Sequence, residues 1–89
     1  MARVEFTQNI QAHVACPVCE VGGKTVREVL DNVFADNEAA RGYVFDEHGA
    51  VRGHMVVFVD GVPIRDRQML TDPVRYDSEV HVMQALSGG

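Results

Sequence analysis

The sequence predicts an α+β fold in which one main helix packs on one face of a mixed β-sheet. Three patterns predict it: alternating apolar and polar side chains near the N-terminus, an apolar helical stripe at 25–35, and a wholly apolar run at 55–59. The first is typical of a half-buried strand, the second of an amphipathic helix and the third of an interior strand. Strands placed before and after a single helix favour two layers, one of sheet and one of helix.

The N-terminal segment predicts a β-hairpin. Apolar side chains alternate from Val4 to Ile10, a turn fits at 9–11, and the alternation continues from Val14 to Val18. Pro17 cannot donate a ladder hydrogen bond, so we expect the second strand to lie at an edge or to end there. Gly22-Gly23 then breaks the pattern.

A helix from Thr25 to Ala35 is the clearest predicted element. Thr25 and Glu28 have the spacing of a capping box, in which each end of the motif satisfies a free amide of the first turn. Its apolar side chains fall at helical spacing on one stripe: Val26, Val29, Leu30, Val33 and Phe34. We expect this stripe to face the core, with Leu30 at its centre.

The segment after the helix predicts shorter elements. Residues 36–42 fit a short helical turn or a loop, and 43–45 and 50–52 flank a four-residue hairpin loop at 46–49. The apolar run Met55–Val59 is followed by Asp60-Gly61, a pair that suits a type I′ turn.

The C-terminal part predicts a short strand at 62–65, one helical turn at 67–70 and a last strand at about 78–84. On the last strand, Val80 and Val82 share one face and His81 and Met83 share the other. A hairpin, a crossing helix and a last strand beside the first describe a β-grasp domain, which we assign to residues 1–83, followed by a flexible tail at 84–89.

Composition excludes several classes of function. The chain has 89 residues and a net charge of −5, and its eight basic residues are scattered, which argues against nucleic acid and anionic membranes as partners. The longest apolar run is too short to span a bilayer, and the N-terminus lacks an apolar signal segment. Two cysteines without an export signal predict reduced thiols and a cytoplasmic location.

The last residues, Leu86, Ser87, Gly88 and Gly89, hold the candidate functional site. A diglycine is slim enough to enter a channel as narrow as a backbone, because glycine has no Cβ. The carboxylate at Gly89 is ionised at neutral pH and is a poor electrophile until it is activated.

Three segments together resemble the ubiquitin-like sulfur-carrier family, which includes the small subunit of molybdopterin synthase and the sulfur carrier of thiamin biosynthesis. They are the central run 56–65 (VVFVDGVPIR), the acidic 77–80 (DSEV) before the last strand, and Gly88-Gly89. With the helix position, the resemblance covers nearly the whole domain.

The resemblance implies a carrier protein without catalysis of its own. It implies that an ATP-using activating enzyme adenylates Gly89, that a sulfur donor enzyme converts the adenylate to a thiocarboxylate, and that a synthase accepts the sulfur for a sulfur-containing small molecule. It implies no bound cofactor and no metal; ATP is used by the partner enzyme. Two alternatives stay open: the molybdopterin synthase small subunit, and a protein modifier conjugated to lysines through Gly89.

An outward patch on the sheet is the predicted docking surface. His81 and Met83 on the last strand are expected to flank Phe58 or Val57, forming an apolar area beside the tail where the activating enzyme docks.

The spacing Cys16-Pro17-Val18-Cys19 also raises a redox or zinc hypothesis. A redox dithiol is usually placed at a helix N-terminus, whereas Gly22-Gly23 intervenes here. Zinc needs further ligands, and none of the four histidines has ligand spacing. We therefore expect structural cysteines, with Cys16 buried and Cys19 half-exposed. No catalytic residues are predicted.

Overall fold

The computed structural model describes residues 1–85, and over these residues the chain forms five strands and three helices. The strands are β1 (Ala2–Phe6), β2 (Cys19–Val21), β3 (Met55–Val59), β4 (Val62–Pro63) and β5 (Glu79–Gln84). The helices are α1 (Gln8–Gln11), α2 (Val26–Phe34) and α3 (Glu38–Val44). The α+β class is therefore confirmed.

The sheet is mixed and has the strand order β2-β1-β5-β3-β4. β1 and β5 pair in parallel, with Val4 opposite Val80, and the other neighbouring pairs are antiparallel. The last strand therefore lies at the centre of the sheet beside the first strand, which confirms the β-grasp. β3 has partners on both sides, as expected for the apolar run at 55–59.

Helix α2 begins where the sequence predicts. The Glu28 amide donates to Thr25 Oγ1 over 3.2 Å, and the Glu28 carboxylate accepts from the Lys24 amide over 3.0 Å. Leu30 is fully buried. Gly23 has a φ of 147°, and a Cβ there would lie 2.8 Å from Val29, so only glycine fits the approach of the chain to this helix. The apolar stripe faces the core as predicted, with Val33 at its half-buried margin.

The predicted strand from Val14 to Val18 is wrong. Residues 14–18 form neither helix nor strand, and the short helix α1 before them takes the place of the predicted turn at 9–11 and buries Ile10. The Val14 amide donates to the Ile10 carbonyl over 3.0 Å. Pro17 has no amide to give to a ladder, so β2 starts only at Cys19. In the sequence, Ile10 fits the alternation of Val4 and Phe6 and so looks like a further inward-facing residue of the first strand.

The predicted strand at 43–45 is also largely wrong. Tyr43 and Val44 belong to α3, whose N-cap Asn37 accepts from the Ala40 amide over 3.2 Å. Only a single bridge joins Phe45 to Val51, across the turn at 46–49 that the sequence predicts. The cap and the good helix formers after it extend the helix through Val44, which is fully buried.

Arg27 connects α2 to two loops. Its Nη2 donates to the Gly49 carbonyl over 2.6 Å and to the Gln68 carbonyl over 3.3 Å, and its Nε donates to the Met69 carbonyl over 3.4 Å. The guanidinium also lies 5.1 Å from the centre of the Phe45 ring. Through these contacts, Arg27 on the polar side of α2 holds the loops at 46–49 and 67–70 against the helix.

The turn between β3 and β4 is tied to the start of β5. Asp60 and Gly61 have φ values of 51° and 84°, as a type I′ turn requires. The Asp60 carboxylate accepts from the Glu79 amide over 2.9 Å and from the Ser78 hydroxyl over 2.8 Å. These hydrogen bonds hold the pKa of Asp60 below its ordinary value. The turn therefore also fixes where the central strand begins.

A second carboxylate organises the predicted turn at 67–70. Asp66 accepts from the Thr71 hydroxyl over 2.6 Å and from the Met69 amide over 2.9 Å. Hydrogen bonds from Thr71, Met69 and Gln68 to the ionised carboxylate lower the pKa of Asp66 to about 2. The ionised form of Asp66 is therefore favoured by folding.

Asp66→Asn is expected to destabilise the domain at pH 7 and to have a smaller effect in acid. Because the folded pKa of about 2 lies below the ordinary aspartate value of 3.8, the stability that Asp66 contributes is present above about pH 4 and is lost as the pH falls towards 2. Urea unfolding of both proteins across this range measures the difference. A difference that does not shrink between pH 4 and pH 2 would contradict the assignment.

Candidate functional site

The site is organised around β5, which leads towards the diglycine. Val80 and Val82 point into the core and are fully buried, whereas His81 and Met83 point to the opposite face of the sheet. The predicted tail residues Leu86, Ser87, Gly88 and Gly89 lie outside the described residues. Their role in carrying sulfur stays a prediction.

The structure brings the three predicted docking residues together. Phe58 on β3 lies directly opposite His81 on β5, and Val56 lies opposite Met83. Met83 is 39% exposed and the other three are half-buried. We call these four residues the sheet-face patch. Val57, the other residue proposed for it, is fully buried on the inner face opposite Val82, so that part of the expectation is wrong.

One side of the sheet-face patch is charged. His81 Nε2 lies 3.2 Å from Glu5 Oε2 on β1, an ion pair when His81 is protonated. Arg3 approaches the same carboxylate at 4.0 Å. Because these side chains are partly exposed, their pairing adds little stability, and they remain free to exchange partners. The patch therefore combines an apolar centre with a polar border along β1.

The end of β5 is held by three contacts. Gln84 pairs with Met55 in the ladder, and the Ala85 amide donates to the His54 carbonyl over 2.8 Å. The Tyr43 hydroxyl on α3 donates to Gln84 Oε1 over 3.1 Å. Gln84, which we assigned to the tail, thus lies in the strand.

The held end of β5 limits how far the diglycine can reach. Four residues follow Ala85, and a fully extended chain spans roughly 3.3–3.6 Å per residue. Gly89 can therefore lie no more than about 14 Å from Ala85. A tail that began at Gln84, as the sequence predicts, would reach about 20 Å.

The cysteines occupy the positions predicted for structural residues. Cys16 is buried, Cys19 on β2 is half-buried, and Cys16 Sγ donates to the Val14 carbonyl over 3.3 Å. Burial raises the pKa of both thiols, and the nearby Cys19 raises the pKa of Cys16 further. Both are therefore protonated and weakly nucleophilic at neutral pH.

Neither a metal-binding cluster nor a membrane-spanning helix is found in the described part of the chain. Within it, no three or more histidine, cysteine, aspartate or glutamate side chains are grouped so that they could hold a metal ion. None of the helices α1, α2 and α3 is long and apolar enough to cross a membrane.

Tyr43 and Glu5 are the site residues that sequence reasoning missed. Glu5 reads as an ordinary polar position of an alternating strand. Tyr43 is 41 residues away from Gln84, and it was assigned to a strand rather than to α3. No local pattern connects Tyr43 to Gln84 or Glu5 to His81, so these contacts can be known only from the topology of the fold.

Several solved structures match the chain over nearly their whole length, among them the following three. The Amycolatopsis orientalis BexX/CysO complex contains a chain with a TM-score of 0.82 at 20% identity, and the match covers 100% of this chain and 100% of that one. Small archaeal modifier protein 1 from Methanosarcina acetivorans gives 0.80 at 19% identity, covering 99% of this chain and 95% of that one. SAMP1 from Haloferax volcanii gives 0.77 at 22% identity, with 99% and 98% covered.

These matches confirm the fold that the sequence resemblance implies. At identities of 19–22%, they show a shared fold over the whole chain. No protein-family model and no curated protein matches the chain.

Proposed function

We propose that this β-grasp chain is a ubiquitin-like sulfur carrier whose Gly89 is adenylated and then converted to a thiocarboxylate. The observation that carries the proposal is the course of β5, the central strand of the sheet. It runs past an outward apolar patch and leads, within about 14 Å, to Gly88-Gly89. An apolar surface that a partner enzyme could bind, within reach of a slim diglycine, supports this proposal.

The chemistry follows from the carboxylate. An activating enzyme joins it to AMP from ATP and releases pyrophosphate, which turns a poor electrophile into an acyl adenylate. A sulfur nucleophile supplied by a donor enzyme then attacks the carbonyl carbon, and AMP leaves. The terminal thiocarboxylate passes its sulfur to a synthase that the tail can enter. The chain is a co-substrate of these partners and performs no catalysis itself.

Mass spectrometry of the intact protein tests the proposal. The mass of the purified native chain first shows whether Gly89 is its last residue. Incubation with an activating enzyme, ATP and a sulfur donor should then exchange one oxygen for sulfur, and fragmentation should place the change on Gly89. Sulfur found on Cys16 or Cys19 instead would overturn the proposal and make a cysteine the carrier.

Met83→Glu is expected to weaken docking of the activating enzyme. A carboxylate at the centre of the sheet-face patch must be desolvated on binding, so KM for adenylation should rise by about tenfold, equivalent to about 1.4 kcal/mol. Met69→Glu is the matched control, because Met69 is 67% exposed and lies outside the patch. If Met69→Glu raises KM as much as Met83→Glu does, the enzyme does not bind at the sheet-face patch.

A protein modifier is the second candidate function. The matching structures include small archaeal modifier protein 1 from two organisms, with the same fold over nearly the full length. In this case the activated Gly89 would form an isopeptide bond with a lysine of another protein. Purification of the tagged chain from its own cells distinguishes the two: a ladder of covalent conjugates supports the modifier, and a thiocarboxylate without conjugates supports the carrier.

A further inference from the structure

The contacts at the end of β5 suggest a role beyond stability. Gln84 follows Val80 and Val82 on the inner face of the sheet, so its side chain points towards α3 rather than towards solvent. There, the Tyr43 hydroxyl donates to Gln84 Oε1 over 3.1 Å. Strand ends commonly fray, but Gln84, the last residue of β5, is held by a hydrogen bond from Tyr43 on α3.

The Tyr43 side chain is itself held in place. It packs against the core, and the His13 ring stacks on it with centroids 5.6 Å apart and planes 23° apart. The ring therefore has neighbours on two sides, which restrict the positions that its hydroxyl can take. A fixed donor costs little conformational entropy when the hydrogen bond forms.

The next residue continues the same arrangement. The Ala85 amide donates to the His54 carbonyl over 2.8 Å, which extends the β3–β5 ladder one residue beyond β5. If Gln84 lost its hydrogen bond to Tyr43, we expect the Ala85–His54 hydrogen bond to break more often. We call Tyr43, Gln84 and the Ala85–His54 hydrogen bond the strand-end clasp.

We infer that the strand-end clasp positions the C-terminal segment for activation, with Tyr43 as its positioning residue; this inference rests on the proposed function. By holding the chain through Ala85, the clasp leaves four residues to carry Gly89 into the enzyme. Release of Gln84 and Ala85 would leave six residues, rather than four, between the last held residue and the end at Gly89. A longer free segment samples more orientations and brings its end to a fixed point less often.

The clasp can be opened and restored by single substitutions. Tyr43→Phe removes the hydroxyl and keeps the ring that stacks on His13. Gln84→Leu removes the acceptor and keeps a side chain of similar length. Gln84→Glu keeps an acceptor for the Tyr43 hydroxyl and is the rescue variant. Both Tyr43 and Gln84 lie outside the sheet-face patch, so docking should be unaffected.

Amide hydrogen exchange of the isolated full chain shows whether the clasp exists. The Ala85 amide should exchange about tenfold faster in Tyr43→Phe and Gln84→Leu than in the wild type, and near the wild-type rate in Gln84→Glu. The exchange of β5 amides such as Val82 should stay unchanged. Equal Ala85 exchange in all four proteins would overturn the clasp, whether or not the chain is activated.

Adenylation kinetics with the activating enzyme show whether the clasp positions the tail. In Tyr43→Phe and Gln84→Leu, kcat should fall about fivefold to tenfold with KM unchanged, and Gln84→Glu should restore it. If Ala85 exchanges faster but kcat is unchanged, the strand-end clasp exists but does not position the C-terminal segment for activation, and the inference is wrong. If the wild type is not adenylated at all, the proposed function and its positioning device fail together, while the exchange result still decides whether the clasp exists.

Discussion

Leu30→Ala is expected to lower the free energy of unfolding by about 2–5 kcal/mol. Leu30 has no exposed area and lies on the buried stripe of α2 that faces the sheet. The substitution removes three buried carbons and leaves a cavity that the surrounding side chains fill only in part. For an 89-residue domain this is a large share of the total stability, which is about 5–15 kcal/mol for proteins in general.

Urea unfolding followed by far-UV circular dichroism measures the effect. Met69→Ala is the control, because its side chain is 67% exposed and its loss should change the free energy by less than about 0.5 kcal/mol. A change below about 0.5 kcal/mol for Leu30→Ala would mean that the α2 stripe is not packed on the sheet.

Deletion of Gly89 is expected to abolish sulfur loading while leaving the domain folded. The carboxylate would move to Gly88, one residue short of the position that the enzyme must reach. One residue added after Gly89 should have the same effect, because it moves the carboxylate past that position. Intact mass after incubation with the activating enzyme, ATP and a sulfur donor measures loading. The free energy of unfolding should not change, because the buried side chains of β5 end at Val82.

Deletion of Ser87 is the matched control for length. It shortens the segment by one residue but keeps Gly88-Gly89 at the end. Partial loading of this variant would show that the terminal diglycine matters more than the exact length of the segment. Gly88→Val keeps the length and adds a β-branched side chain, so it should dock normally and load poorly. A chain without Gly89 that still loads at the wild-type rate would rule out the sulfur-carrier proposal.

The sequence predicts the elements whose patterns are local and strong. The stripe of α2, the cap at Thr25, the turn at Asp60-Gly61 and the alternation of β5 are all found where expected. Each depends on side chains within a few residues of one another, and the hydrophobic period reports those directly. The outward placement of His81 and Met83 follows from the same period, whereas the choice between Phe58 and Val57 depends on the register of β3 with β5.

The mistakes fall where an apolar residue satisfies two periods at once. Ile10 fits the alternation of a strand, but it is buried as part of the four-residue helix α1. Tyr43 and Val44 have good strand propensity, but the capped segment before them continues as helix. In α1 the burial of Ile10 decides the outcome, and in α3 the Asn37 cap together with the burial of Val44 does.

Long-range polar contacts could not be predicted either. Arg27 reads as a solvent-exposed position on the polar side of α2, yet it binds carbonyl groups of two loops that are 22 and 41 residues away. Asp60 reads only as a turn residue, yet its carboxylate binds the first residues of β5. Such partners are defined by the topology of the sheet, which no local pattern contains.

The central position of β5 has a consequence for synthesis of the protein. On the ribosome, β1 and β3 are made first, but the strand that joins them is made last, so the sheet cannot close until residues 79–84 have left the exit tunnel. Such pairing between distant parts of a chain is slow and is completed late. A nascent chain stopped before residue 79 would leave the inner edges of β1 and β3 unpaired and would be open to proteases. A cell that degrades unfolded chains would thereby remove those that end before β5.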